Sequence, residues 1–82
     1  MRTTEARKTI LEVLADCEPH ALPEDTLLTN VNIRLRPILS QAEFDEHLLW
    51  LKSRGMIGAM EGELGDEKVR WHILEAGKTQ IG

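Results

Sequence analysis

The chain has 82 residues, 41% of them hydrophobic and 29% charged, and its 10 basic and 14 acidic residues give a net charge of −4. A chain of this length builds one core, so residues 1–82 form a single domain, and the composition is that of a folded protein rather than a disordered one. No apolar run reaches the roughly 18–20 residues that cross a bilayer, and the interrupted apolar start does not fit a signal peptide. We therefore expect a cytoplasmic protein, in which the single cysteine excludes an internal disulfide and a multi-cysteine zinc site.

Two helices are predicted in the first half of the chain. The first is capped by Thr3 or Thr4 and runs to about Asp16. Its apolar residues recur at spacings of three and four: Ala6, Ile10, Val13, Leu14 and Cys17. The second spans about 23–33, with Pro23 at its first position and acidic residues in its first turn.

A third helix has the clearest start in the chain. Ser40 is followed three residues later by Glu43, the spacing of a reciprocal capping box. Arg54 is placed in the last turn of this helix, and Gly55 ends it. The predicted inward face carries Phe44, Leu48 and Leu51.

The remainder is predicted as a two-stranded β-hairpin. Its strands are Met56–Glu61 and Lys68–Leu74, joined by a turn over 62–67 that is rich in glycine and acidic residues. In the second strand, apolar side chains alternate with polar ones, as in a half-buried strand. Gly77 is then expected to break the chain before a short tail.

Two segments resemble winged-helix proteins. LLWLKSRGMI at residues 48–57 is similar to the end of a recognition helix that runs into the wing of MarR-like regulators. WHILEAGK at residues 71–78 is similar to their closing strand and turn, with Leu74 in place of the usual threonine. The resemblance implies an α+β fold, a three-helix winged helix-turn-helix with a two-stranded hairpin wing. Winged helices bind DNA in most families, yet many dock proteins instead.

The charges favour docking over DNA. The outward positions of the third helix are Gln41, Glu43, Asp45, Glu46, Leu49 and Trp50. Ser40–Arg54 carries three acids against Lys52 and Arg54, net −1. The wing carries Glu61, Glu63, Asp66 and Glu67 against Lys68 and Arg70, net −2. Carboxylates beside a phosphate backbone repel it, although acids on a solvated surface also serve solubility alone.

The favoured hypothesis is a non-enzymatic binding module that docks another protein, or a second copy of itself, through the third helix and wing. Leu49 and Trp50 would anchor the partner, with Glu43, Asp45 and Glu46 setting its orientation. The apolar pair has another interpretation, in which the core is wider and one of the two side chains lies under the second helix or the hairpin.

The alternative is a DNA-binding transcriptional regulator of the winged-helix type. Gln41 would read the duplex, and the candidate contact cations are Arg34, Arg36, Lys68 and Arg70. A minor phosphate contact is open to Arg34 and Arg36 and to the basic group near the amino terminus (Arg2, Arg7 and Lys8), but pairing of all five with the acids and contact with solvent are favoured.

No catalytic, metal or cofactor site is expected. Cys17 and His20 supply two ligands where a tetrahedral zinc site needs four, and Cys17 is expected to be a buried thiol. His47 lies one turn from Glu43 without a nucleophile in the pattern, so a solvated surface histidine is predicted. His72 is expected on the outward side of its strand.

Overall fold

The computed structural model describes residues 2–18, 20–60 and 69–81. In chain order, the elements are α1 (Arg2–Asp16), β1 (Leu22–Pro23), α2 (Glu24–Arg34), α3 (Gln41–Ser53), β2 (Ile57–Met60), β3 (Arg70–Ile73) and α4 (Glu75–Ile81). None of the helices in these ranges is both long and apolar enough to cross a bilayer.

The helix α1 begins at Arg2, ahead of the predicted threonine cap, and ends at Asp16 as predicted. Most of its predicted stripe is in the core, while Cys17 is half-buried instead of buried. Thr9 is also buried, and its hydroxyl donates to the carbonyl of Glu5 at 2.8 Å. This bond satisfies the hydrogen-bonding capacity of a buried polar side chain on the helix face.

The capping box of α3 is confirmed. The Ser40 hydroxyl accepts from the backbone N–H of Glu43, and the Glu43 carboxylate accepts from the backbone N–H of Ser40, both at 3.2 Å. Arg54 is the residue that caps the helix rather than part of its last turn. Gly55 follows with φ of 71°, a left-handed conformation that explains glycine at this position.

Within the described residues the sheet has three strands, where a two-stranded hairpin was predicted. Strands β2 and β3 pair antiparallel, and β1 adds to the other side of β3 through Leu22 opposite Trp71 and Pro23 opposite Arg70. Two residues are too few to show strand periodicity, so no pattern pointed to β1.

The expected short tail is the helix α4, and Gly77 lies inside it instead of breaking the chain. A Cβ at this position would lie 2.5 Å from the carbonyl oxygen of Met56. Glycine therefore serves a close approach of backbone to backbone here. Lys78 of α4 also pairs with Glu18 at 2.9 Å.

The core lies between the helices and one face of the sheet. The predicted inward residues of α3 (Phe44, Leu48 and Leu51) are all in it, as are Trp71 and Ile73 of β3. The loop between α2 and α3 adds Leu35 and Leu39. This core fixes which face of α3 points outward.

Candidate functional site

The outward face of α3 is exposed to solvent. At about 100° per residue, Ala42, Glu46, Leu49 and Ser53 lie opposite the buried face, and all four are exposed. Leu49 is 66% exposed, so a large apolar side chain stands in solvent at the centre of this face. We call these four residues the α3 outer face.

Trp50 differs from its neighbour because it is half-buried and packs against the core. The guanidinium carbon of Arg7 lies 3.8 Å from the centroid of the indole ring, and that of Arg54 lies 4.8 Å away. Both are within the range of cation–π attraction. Trp50 therefore joins α1 to the end of α3. The wider-core interpretation holds for the burial of Trp50, although Arg7 of α1 lies over its ring instead of the predicted second helix or hairpin, and it does not hold for Leu49.

The three acids of α3 have different surroundings. Glu43 closes the capping box, and Asp45 accepts a hydrogen bond from the Gln41 side-chain amide at 2.9 Å. Partial burial raises the pKa of the Glu24 carboxyl above its usual value, and the hydrogen bond and negative charge of Asp45 raise it further. Glu46 is exposed and forms no hydrogen bond or ion pair with the described part of the chain.

Two of the predicted DNA-contact cations make internal contacts. Arg34 lies in the last turn of α2 and pairs with Asp16 at 2.7 Å, as the pairing hypothesis predicted. Arg36 donates to the carbonyl oxygens of Asn32 and Leu35. Gln41, the predicted base reader, is bound to Asp45.

The wing is described only along its two strands. Arg70 is exposed and stands opposite Met60, which is 52% exposed. Lys68 and the four wing acids fall within 61–68, outside the described residues. Lys52 is exposed in the last turn of α3 and was not among the predicted contact residues, although its helical position could have indicated it.

Two of the histidines, His47 and His72, are half-buried. His47 is half-buried, and its Nδ1 accepts from Nε of Arg7 at 3.4 Å, so the prediction of a solvated histidine is wrong. The ring of His72 is half-buried over Gly58, and its Nδ1 is buried without a hydrogen-bond partner among the described residues. Across the described ranges, no three potential metal ligands come together.

The fold of this chain is similar to that of a protein of known structure. No family model and no curated protein sequence matches the chain. A crystal structure from Thermoplasma acidophilum, of a protein provisionally named a transcriptional regulator, is similar with a TM-score of 0.74 and 20% sequence identity. The match covers 96% of this chain and 75% of that chain. The structural similarity shows a shared α+β fold that is consistent with a winged helix, while the likeness to MarR regulators stays a sequence-based prediction.

Proposed function

We propose that the chain is a winged-helix DNA-binding module that acts in transcriptional regulation. The observation that carries the proposal is the fold match over 96% of the chain to a protein provisionally named a transcriptional regulator. In helix-turn-helix readers, the helix in the position of α3 enters the major groove. The exposed α3 outer face supports the same role, because it leaves that helix free to approach a duplex.

The contacts of the α3 acids weaken the objection from charge. Glu43 is engaged by the N-terminal backbone of its own helix, and Asp45 by Gln41. The local structure of the helix accounts for carboxylates that are engaged in this way, so these acids are not evidence for a protein partner. Glu46 is then the one acid of the α3 outer face that a phosphate backbone would meet.

Exposed cations supply the phosphate contacts in this proposal. Lys52 lies in the last turn of α3 and Arg70 begins β3, and neither has a carboxylate partner among the described residues. Arg36 is exposed between α2 and α3. If each of the three neutralises one phosphate, log K falls with log salt at a slope of about −3.

The test is a fluorescence-anisotropy titration of a labelled duplex from about 50 mM salt upward, the range in which phosphate contacts give measurable affinity. Lys52→Ala and Arg70→Ala are each expected to weaken binding and to reduce the salt slope by about 1. Lys78→Ala is the matched control, because that cation is held by Glu18. Absence of binding at the lowest salt, or equal losses in all three variants, contradicts the proposal.

A second candidate function, docking to another copy of this chain, is favoured by Leu49. Its side chain is 66% exposed, and burying it against a second copy would remove this apolar surface from water. Since each copy carries a net charge of −4, salt would strengthen this association by screening repulsion, whereas it weakens DNA binding.

Sedimentation equilibrium across protein and salt concentrations separates the two functions. For docking, Leu49→Ala should weaken the dimer about tenfold or more, the loss expected of an interface anchor. Ile33→Ala is the matched control, because Ile33 is 68% exposed on α2. A monomer at every concentration, or equal effects of both variants, removes self-docking.

A further inference from the structure

A cleft of about 170 Å³ opens between α1, the end of α3 and α4. Its apolar lining consists of Leu11, Leu51 and Met56, which we call the aliphatic floor, and of Trp50, whose ring lies under Arg7. Drug-sized ligands occupy sites of roughly 300–1,000 Å³, so this cleft suits a smaller molecule. An aliphatic floor favours a ligand with a short apolar body.

The rim of the cleft is cationic and polar. Arg7 and Lys8 line it from α1, together with the hydroxyl-bearing Thr4 and the amide-bearing Gln80. Within the described ranges neither Arg7 nor Lys8 has a carboxylate partner, whereas Lys78 of α4 has two, Glu18 and Glu75. The rim therefore keeps positive charge beside an apolar surface, in a chain that is acidic as a whole.

Arg7 is held in position before any ligand arrives. Its guanidinium lies 3.8 Å from the Trp50 ring centroid, and its Nε donates to His47. These contacts use the face of the guanidinium and one of its five N–H donors, which leaves four for an anion. A fixed guanidinium loses less side-chain freedom on binding than a mobile one.

We infer that this cleft binds a small organic anion, a carboxylate on a short aliphatic chain. The carboxylate would accept charge-assisted hydrogen bonds from Arg7 and Lys8. The aliphatic chain of the ligand would lie on Leu11 and Met56, where burial removes it from water. Hexanoate, with eight non-hydrogen atoms, fits the size of the cleft. The inference is independent of DNA binding, because it depends on the residues of the cleft alone.

The experiment titrates the folded, isotope-labelled protein with hexanoate and follows backbone amide shifts by NMR. Hexanol and hexylamine are the matched probes, since they keep the chain and change the head group. We expect saturable shifts at Lys8, Leu51 and Gln80, with hexanoate binding at least tenfold more tightly than either probe. Inorganic phosphate shows whether the head group alone is enough, and phosphate binding as tight as that of hexanoate contradicts a role for the aliphatic floor.

Lys8→Ala tests the rim without disturbing the core, because Lys8 is exposed. Its affinity for hexanoate should fall about fivefold to tenfold, while Lys78→Ala, the matched cation in an ion pair, keeps the original affinity. Circular dichroism checks that both variants are folded. Hexanoate that fails to saturate, that binds no better than hexanol, or that binds Lys8→Ala unchanged overturns the inference.

Discussion

Replacing Gly77 by alanine tests the packing of α4. In an ordinary helix the change stabilises by about 1 kcal/mol. Here the new Cβ would lie 2.5 Å from the Met56 carbonyl oxygen, 2.9 Å from Cγ1 of Ile73 and 3.0 Å from Cδ2 of Leu11. The carbonyl cannot rotate away, because it also accepts a hydrogen bond from the backbone N–H of Leu74 at 2.9 Å.

The helix must therefore move, which costs about 1–3 kcal/mol in overpacking and about 1 kcal/mol if that hydrogen bond is lost. After the helix-propensity gain, Gly77→Ala should be less stable than the parent protein by about 1–3 kcal/mol. For a domain of this size, each kcal/mol lowers the melting temperature by about 4–8 °C.

Urea unfolding followed by circular dichroism measures the difference. Gly58→Ala is the matched control, because its Cβ meets the ring of His72 at 2.8 Å, the end of a side chain that can turn aside. Gly58→Ala should therefore lower the free energy of unfolding clearly less than Gly77→Ala does. A Gly77→Ala protein as stable as the parent would refute the close approach of α4 to the segment that precedes β2.

Substitutions at three further positions test the contacts of α3. Trp50→Ala should destabilise the protein by about 2–3 kcal/mol, because it removes a half-buried ring and its cation–π contacts. Trp50→Phe keeps an aromatic ring and should destabilise it less. Equal losses of stability in urea unfolding would exclude a role for ring stacking. Ser40→Ala should cost about 1 kcal/mol through the lost cap, and an unchanged melting temperature would contradict it. The pKa of Glu24 is raised in the folded state above 4.5, its ordinary value. At pH values from about 4.5 upward, the folded state therefore binds more protons than the unfolded state. The free energy of unfolding contributed by Glu24 then falls as the pH rises through this window. Asp45→Asn should reduce the fall, and an unaltered pH profile in urea unfolding would show that the two carboxyls do not interact.

Local signals made much of the fold predictable. The capping box at Ser40, the left-handed glycine at position 55 and the inward face of α3 each depend on residues within one or two turns. Such short-range patterns carry over from sequence to structure with little change.

Features that depend on distant backbone were missed. The strand β1 exists because Leu22 finds an open side of β3, and two residues carry no periodicity. Gly77 looked like a break because glycine is a poor helix former, but the approach of the Met56 carbonyl requires it inside α4.

The candidate site was only half predictable for the same reason. The helical spacing placed Leu49 and Trp50 outside the inward face, and Leu49 is exposed. No local pattern shows that Arg7, far away in the chain, covers the Trp50 ring. The sequence hypothesis of a docking anchor at Trp50 rested on the exposure of a ring that is in fact half-buried.

The most direct measurement of the DNA-binding proposal maps a duplex onto the protein by backbone amide NMR at low salt. The account predicts shifts concentrated at Glu46, Leu49 and Ser53 of the α3 outer face, at Lys52 beside it, and at Arg70, all decreasing as salt is added. Shifts confined to α1 and α4, or a spectrum that the duplex leaves unchanged, would contradict it.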